Sequence, residues 1–162
     1  ASKREDDAVN DATLRLLFWL KSLPVTGRKA ALLDPRVVEI TPAENLVLEN
    51  GDTLHYPARP SSIRIVGAVD SPCEVAFVPL QDARRYLSSC RADQAADIET
   101  FYVIQPDGKV FKQGRALWNR SEALALAPGA VLYVPLRVSV TAAFDTDLDR
   151  DIAAFLATQV LP

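Results

Sequence analysis

Residues 62–79 constrain the fold most strongly, because two short apolar runs flank a tight break there. The first run alternates Ile63 and Ile65 with the charged Arg64, and it reaches Gly67 before the break. Turn-forming residues occupy positions 70–72, and an alternating pattern resumes over residues 73–78. This arrangement predicts a β-hairpin.

The segments after the hairpin predict a helix and then more strands. Residues 82–90 present apolar side chains on one face and arginines on the other, which predicts a helix. Residues 100–104 are aromatic and β-branched, as in a central strand, and residues 109–112 and 131–134 predict two further strands. A hairpin, a helix and returning strands are the order of a β-grasp, or ubiquitin-like, domain. We therefore predict an α+β fold with a β-grasp domain over residues 62–140.

The chain before the hairpin begins with a predicted helix from Arg4 to the residues before Pro24, which ends it. Four apolar residues recur there at four-residue spacing: Ala8, Ala12, Leu16 and Leu20. So wide an apolar stripe predicts packing against the core of the protein, and a partner-binding helix is the alternative.

Short strands are predicted after this helix. Residues 36–40 predict one strand, and residues 46–48 and 53–56 predict a hairpin around Asn50-Gly51, a dipeptide that favours hairpin turns. A proline-containing connector follows at residues 57–60. Residues 1–61 are thus predicted to hold the N-terminal helix and a partial second β-grasp subdomain.

Residues 141–162 predict a C-terminal amphipathic helix. Aspartates at positions 147, 149 and 151 suit the positive end of a helix dipole. Apolar residues recur at three- and four-residue spacing: Leu148, Ile152, Phe155 and Leu156. This face predicts docking within the chain, and docking on a partner or self-association are the alternatives.

Composition excludes several classes of function. The net charge of -3 and the pI near 5.2 argue against a general nucleic-acid binder, which needs a basic surface. No run of apolar residues is long enough for a predicted membrane span.

The residues required for common catalytic sites are missing from the pattern. The chain has no glycine-rich phosphate loop and no Gly-Xaa-Ser-Xaa-Gly motif, and His55 is its one histidine. We therefore predict no cofactor, no metal site and no enzymatic activity. Cys73 on the hairpin and Cys90 at the end of the following helix are predicted either to form a disulfide or to be two small buried thiols.

Four stretches in this order resemble the capsule-biosynthesis GfcC family: residues 23–28, 65–69, 101–108 and 129–136. The glycine-containing strand at residues 65–69 is also similar to the SLBB ligand-binding modules of Wza-type polysaccharide export proteins. The resemblance covers nearly the whole chain.

The resemblance implies a fold, a location and a role. Family members are periplasmic proteins of Gram-negative bacteria, with two β-grasp domains, a C-terminal amphipathic helix and no established catalysis. The implied role is that of a non-enzymatic accessory protein in capsule or exopolysaccharide biosynthesis and export, whose signal peptide has been removed. The alternative is a pure interaction module that docks on the export machinery through its C-terminal helix.

The resemblance also suggests Arg28, in the Thr26-Gly27-Arg28 loop, as a ligand-binding residue. Its planar guanidinium would hold a carboxylate or phosphate of an acidic polysaccharide. A structural salt bridge or a cap on a backbone carbonyl is the alternative for Arg28. Three aromatic residues could stack on sugar rings or belong to the core: Trp19, Trp118 and Tyr133.

One departure from the family concerns the start of the chain. Family members are longer there, and no opening hairpin precedes the first helix. We therefore expect either a fragment of a longer mature protein or a reduced member of the family.

Overall fold

A mixed five-stranded sheet forms the centre of the computed structural model, which describes residues 3–116, 118–141 and 145–160. The strands are β1 (Ser62–Gly67), β2 (Cys73–Ala76), β3 (Thr100–Ile104), β4 (Val110–Gly114) and β5 (Val131–Val134). They lie in the order β2-β1-β5-β3-β4. The α+β class predicted from the sequence is confirmed.

The predicted hairpin is the antiparallel pair of β1 and β2, in which Ile65 lies opposite Cys73. Strand β1 also pairs with β5 in parallel, and β3 runs antiparallel to both β4 and β5. The first and last strands in chain order, β1 and β5, are therefore neighbours in the middle of the sheet. The β-grasp assignment was made from the order of these elements and stays a prediction.

Register divides the core residues between the two faces of the sheet, because paired residues point to the same side. Tyr133 lies between Val66 and Tyr102 on one face. On the opposite face, Leu132 lies between Ile65 and Val103, and it is fully buried.

Gly67 allows β1 to leave the sheet where it meets β5. Its φ of +100° belongs to the region that glycine adopts readily. A Cβ at this position would lie 2.2 Å from the Val134 carbonyl oxygen. Only glycine fits this approach of the two backbones.

The helix after the hairpin, α3 (Ala83–Leu87), is fixed by its cap and by one tyrosine. The Asp82 side chain accepts the Arg84 N–H at 2.8 Å and caps the helix. The Tyr86 hydroxyl donates to the Val78 carbonyl oxygen at 2.9 Å and accepts from the Val78 N–H at 2.8 Å. The Asp82 cap defines the start of α3, and the Tyr86 hydroxyl holds the helix against Val78 in the segment that follows β2.

Two longer helices complete the core. The first, α1 (Lys3–Ser22), matches the predicted N-terminal helix and buries Ala12 and Leu16 in the same core as the sheet. The other, α5 (Leu148–Ala157), contacts β3 and β4 and buries Ile152 and Leu156. Both helices use their apolar stripes within the chain.

The predicted strand at residues 36–40 is wrong, because this segment is a helix, α2 (Pro35–Ile40). Asp34 caps it by accepting the Arg36 N–H at 3.0 Å, and proline at the first helical position supplies a suitable φ. These start signals outweigh the β-branched residues of the segment.

The predicted hairpin around Asn50-Gly51 forms its turn but not its strands. The Asp52 N–H donates to the Glu49 carbonyl oxygen at 3.2 Å, yet the residues described between 3 and 61 contain no strand. The flanking Val47 is 92% exposed, so it has no buried apolar contacts that would hold its segment against a second strand. The strands of the predicted upstream β-grasp subdomain are therefore wrong.

Two short elements were not predicted from the sequence. They are a 3-10 turn at Pro42–Glu44 and a helix, α4 (Val138–Thr141), that follows β5.

Candidate ligand-binding groove

An open groove of about 300 Å³ lies between the end of α1 and the β1–β2 hairpin. We call it the Arg64 groove, and its lining residues are Trp19, Leu23, Arg64, Val66, Pro72, Cys73 and Glu74. Its size falls at the lower end of the range for small-molecule sites. It combines apolar walls with one positive and one negative side chain.

Strand alternation places Arg64 in this groove. Residues 63 and 65 are buried in the core, so Arg64 and Val66 point to the opposite face, where α1 lies. Arg64 is half-buried. Within the described residues, its guanidinium makes no hydrogen bond and no ion pair.

Glu74 lies directly opposite Arg64 in the β1–β2 register, but the two do not form an ion pair among the described contacts. The Glu74 carboxylate instead accepts a hydrogen bond from the Ser62 hydroxyl. Opposite charges therefore stand side by side in the groove, and each has capacity for a further partner.

Trp19 forms the wall of the groove contributed by α1. The indole is half-buried and packs against the core. Trp19 and Pro72 also line an adjoining pocket of about 90 Å³, where Arg15 forms an ion pair with Asp93. The cation of the smaller pocket is thus paired, whereas Arg64 has no partner within the described ranges.

Arg28, the ligand-binding residue predicted from the sequence, lies elsewhere. Its guanidinium donates to the Pro106 carbonyl oxygen in the β3–β4 turn, and its backbone N–H donates to the Thr158 carbonyl oxygen at 2.6 Å. Arg28 therefore caps a backbone carbonyl, which is one of the alternatives that the sequence leaves open for it. Its role in ligand binding stays a prediction.

The loop before Arg28 is fastened to the end of α5 by a buried amide. Gln159 is 3% exposed, and its Oε1 accepts the Thr26 N–H at 2.8 Å. The Thr26 hydroxyl in turn accepts the Val160 N–H at 3.0 Å. These contacts join residues more than 130 positions apart and account for the position of the loop without a ligand.

The structure gives each remaining predicted residue a position. Cys73 and Cys90 are joined in a disulfide with a Cα–Cα distance of 6.2 Å, and Cys73 lines the Arg64 groove. The apolar face of α5, including half-buried Leu148 and Phe155, packs on the core. Trp118 is 75% exposed and lies outside the groove.

Tyr133 is fully buried and belongs to a polar cluster beneath α5. Its hydroxyl donates to Asp149 at 3.0 Å, and Thr141 also hydrogen-bonds this carboxylate. Burial is the main cause that raises the pKa of Asp149, and it raises the pKa of Tyr133 as well. The burial of Tyr133 leaves no room for a sugar ring to stack on it.

Neither His55 nor a cluster of metal-ligand side chains marks a second site in the part of the chain that the structure describes. His55 is exposed and lies in the segment after the Asn50-Gly51 turn. Across the described ranges, no group of three or more His, Cys, Asp or Glu side chains is placed to hold a metal ion.

The sequence reasoning missed Arg64 and Glu74. The sequence pattern places Arg64 in the alternating first run and Glu74 in the second, and it gives neither residue a role in binding. The available signal was their symmetric position in the hairpin, which places opposite charges side by side on one face. That signal gains meaning only when α1 covers this face.

The chain belongs to the capsule biosynthesis GfcC family, since the model of the family's C-terminal part matches residues 71–161, more than half of the chain. The resemblance found in the sequence is thereby confirmed. Membership implies a role in capsule or exopolysaccharide biosynthesis.

A similar protein is YjbG of Escherichia coli (strain K12), which is 33% identical over 162 residues. The match covers 100% of this chain and 64% of YjbG, so the chain spans less than two thirds of that relative. No helix in the described part of the chain is long and apolar enough to cross a membrane.

Proposed function

We propose that this protein is a non-enzymatic, periplasmic accessory protein of capsule or exopolysaccharide biosynthesis and export, and that it binds an acidic glycan. The Arg64 groove is the observation on which the binding function rests. It presents to solvent an aromatic wall, a carboxylate and a guanidinium that has no partner among the described residues. These are groups that recognise a sugar ring, its acidic substituent and its hydroxyls.

The Cys73–Cys90 disulfide supports the periplasmic location. Disulfides persist in oxidising compartments, which include the bacterial periplasm, and are rare in the cytosol. Alkylation of free thiols in a periplasmic extract tests this location. Unreduced protein should take up no label, whereas labelling of both cysteines would argue against the proposal.

The non-enzymatic character is proposed from the accessibility of the polar groups. Tyr133 is fully buried beneath α5, where its hydroxyl bonds Asp149, so a polysaccharide cannot reach the phenol. In the groove, Arg64 and Glu74 lack a histidine or a second carboxylate among the lining residues. The groove is therefore suited to holding a ligand without transforming it.

Binding and turnover can be tested together with native protein. Isothermal titration with hexagalacturonate should show binding, whereas its uncharged methyl ester should bind at least tenfold more weakly. The reducing-end concentration should stay constant during long incubation. Equal binding of both ligands would refute the acidic-glycan proposal, and new reducing ends would refute the non-enzymatic one.

Docking on the export machinery is the second proposed function, and α5 limits how it can occur. The buried Ile152 and Leu156 face the core, so a partner would meet the exposed side of the helix, where Ala154 lies. A bulky Ala154→Arg substitution should reduce secretion of polysaccharide without altering glycan binding if this docking occurs. Normal secretion by the folded variant would argue against it.

A further inference from the structure

We infer that the Arg64 groove is a subsite for one carboxylated sugar unit. In this subsite, Arg64 holds the carboxylate, the Trp19 indole packs against the sugar ring, and the Glu74 carboxylate accepts a hydrogen bond from a sugar hydroxyl. This inference rests on the proposed acidic-glycan function and adds the site and the chemistry of recognition.

The Arg64 guanidinium has hydrogen-bond donors available for a ligand. The guanidinium has five N–H donors in a planar fork, and none of them has a partner in the described part of the chain. The Leu23, Val66 and Pro72 side chains form the apolar walls beside it. A carboxylate in this position can accept a charge-assisted, bidentate pair of hydrogen bonds from the guanidinium.

Glu74 selects the kind of anion that can enter. Its carboxylate lies across the hairpin from Arg64 and is held by the Ser62 hydroxyl. This negative charge repels any anion beside Arg64, and an inorganic anion without a hydroxyl, such as sulfate, has no donor with which to offset the repulsion. A sugar acid can instead direct its carboxylate to Arg64 and donate a hydroxyl to Glu74, so both charges of the groove gain partners.

Trp19 supplies the surface for the apolar face of the sugar ring. The indole is half-buried, packs against the core and lines the groove, so its orientation is fixed before a ligand arrives. Binding on such a fixed surface costs little conformational entropy. The groove volume of about 300 Å³ suits one or two sugar units rather than a long polymer segment.

The test measures hexagalacturonate affinity for native protein and for single variants by isothermal titration. Arg64→Ala should weaken binding by about tenfold to a hundredfold, because it removes hydrogen bonds to a charged group. Trp19→Leu should weaken binding, with far-ultraviolet circular dichroism confirming the fold. The matched controls are Arg85→Ala, an exposed arginine on α3, and Trp118→Ala, an exposed indole; both should bind as native protein does.

The outcomes separate this assignment from the proposed function. If native protein binds hexagalacturonate and Arg64→Ala binds it equally well, the subsite assignment is wrong and the proposed function stands. If Arg28→Ala loses binding while Arg64→Ala keeps it, the anion site lies at Arg28 and the assignment is again wrong. If native protein does not bind at all, both the assignment and the proposed function fail.

Inorganic sulfate provides an independent arm of the test. Because Glu74 repels an anion and sulfate carries no hydroxyl to donate, millimolar sulfate should not displace hexagalacturonate from native protein. Displacement by sulfate at constant ionic strength would overturn the inference of a sugar-acid subsite. In Glu74→Gln, which lacks the repelling charge, sulfate should compete measurably.

Discussion

The Cys73–Cys90 disulfide should provide about 3 kcal/mol of the free energy of unfolding. The cross-link closes a loop with a sequence separation of 17, which in the chain-entropy model costs the unfolded state about 3 kcal/mol at 25 °C. The paired replacement Cys73→Ala/Cys90→Ala removes this constraint. For a chain of this length, each 1 kcal/mol shifts the melting temperature by about 2–4 °C, so we expect a decrease of roughly 6–12 °C.

Guanidinium chloride unfolding of native and variant protein measures this effect. The variant should also show a slightly larger dependence on denaturant, because its unfolded chain exposes more surface. Native protein in dithiothreitol should reproduce the loss, and the variant should not respond to the reductant. A difference below about 1 kcal/mol, or two titratable thiols in unreduced native protein, would refute the reasoning.

Three further predictions concern the packing around the sheet and α5. Gly67→Ala should cost roughly 2–5 kcal/mol of stability, because its Cβ would lie 2.2 Å from the Val134 carbonyl oxygen as well as at a strained φ. Gly51→Ala, with the same φ of +100° and no atom within 4 Å, should cost only about 1–2 kcal/mol in the same denaturation experiment, and equal losses would contradict the steric argument. Gln159→Leu should cost about 1–3 kcal/mol, because it leaves a backbone N–H without its acceptor; a neutral effect in thermal unfolding would show that water replaces the amide. Burial raises the pKa of Asp149 above 3.8 in the folded state, so its contribution to stability is fully present below that pH and is lost as the pH rises through the folded pKa. The stability of native protein relative to Asp149→Asn should therefore fall as the pH rises from about 4 towards 7, and a constant difference would contradict the shift.

The central sheet could be predicted because its signals are local. Alternating residues define β1 and β2, and Gly67 with residues 70–72 defines the break between them. Strand β5 carries four consecutive buried residues, as expected for a central strand. Long-range pairing adds to these signals and does not oppose them, so the strands form where the sequence predicts them.

The sequence predicts the segment between α1 and the sheet less accurately than it predicts the sheet. Residues 36–40 are rich in β-branched side chains, but the Asp34 cap and the following proline start a helix. Around Asn50-Gly51, local chemistry specifies the turn, whereas strand pairing needs an apolar face that the flanking residues do not bury. Turn signals alone therefore do not make a hairpin.

The candidate site depended on contacts that the sequence does not reveal. Arg28 was selected from a short motif, and its guanidinium contacts the Pro106 carbonyl oxygen in the β3–β4 turn. Arg64 became a candidate only because α1 brings Trp19 over the same face of the hairpin. The spacing between residues 19 and 64 contains no information about this contact.

Two-dimensional ¹H–¹⁵N nuclear magnetic resonance of the indole groups tests the acidic-glycan account most directly. The chain has two tryptophans, so native protein has two indole N–H signals, which Trp118→Phe assigns. Hexagalacturonate should shift the Trp19 signal in a saturable manner and leave the exposed Trp118 signal in place, and its methyl ester should have a much weaker effect. An unmoved Trp19 signal at millimolar hexagalacturonate, or an equal shift with the ester, would contradict the account.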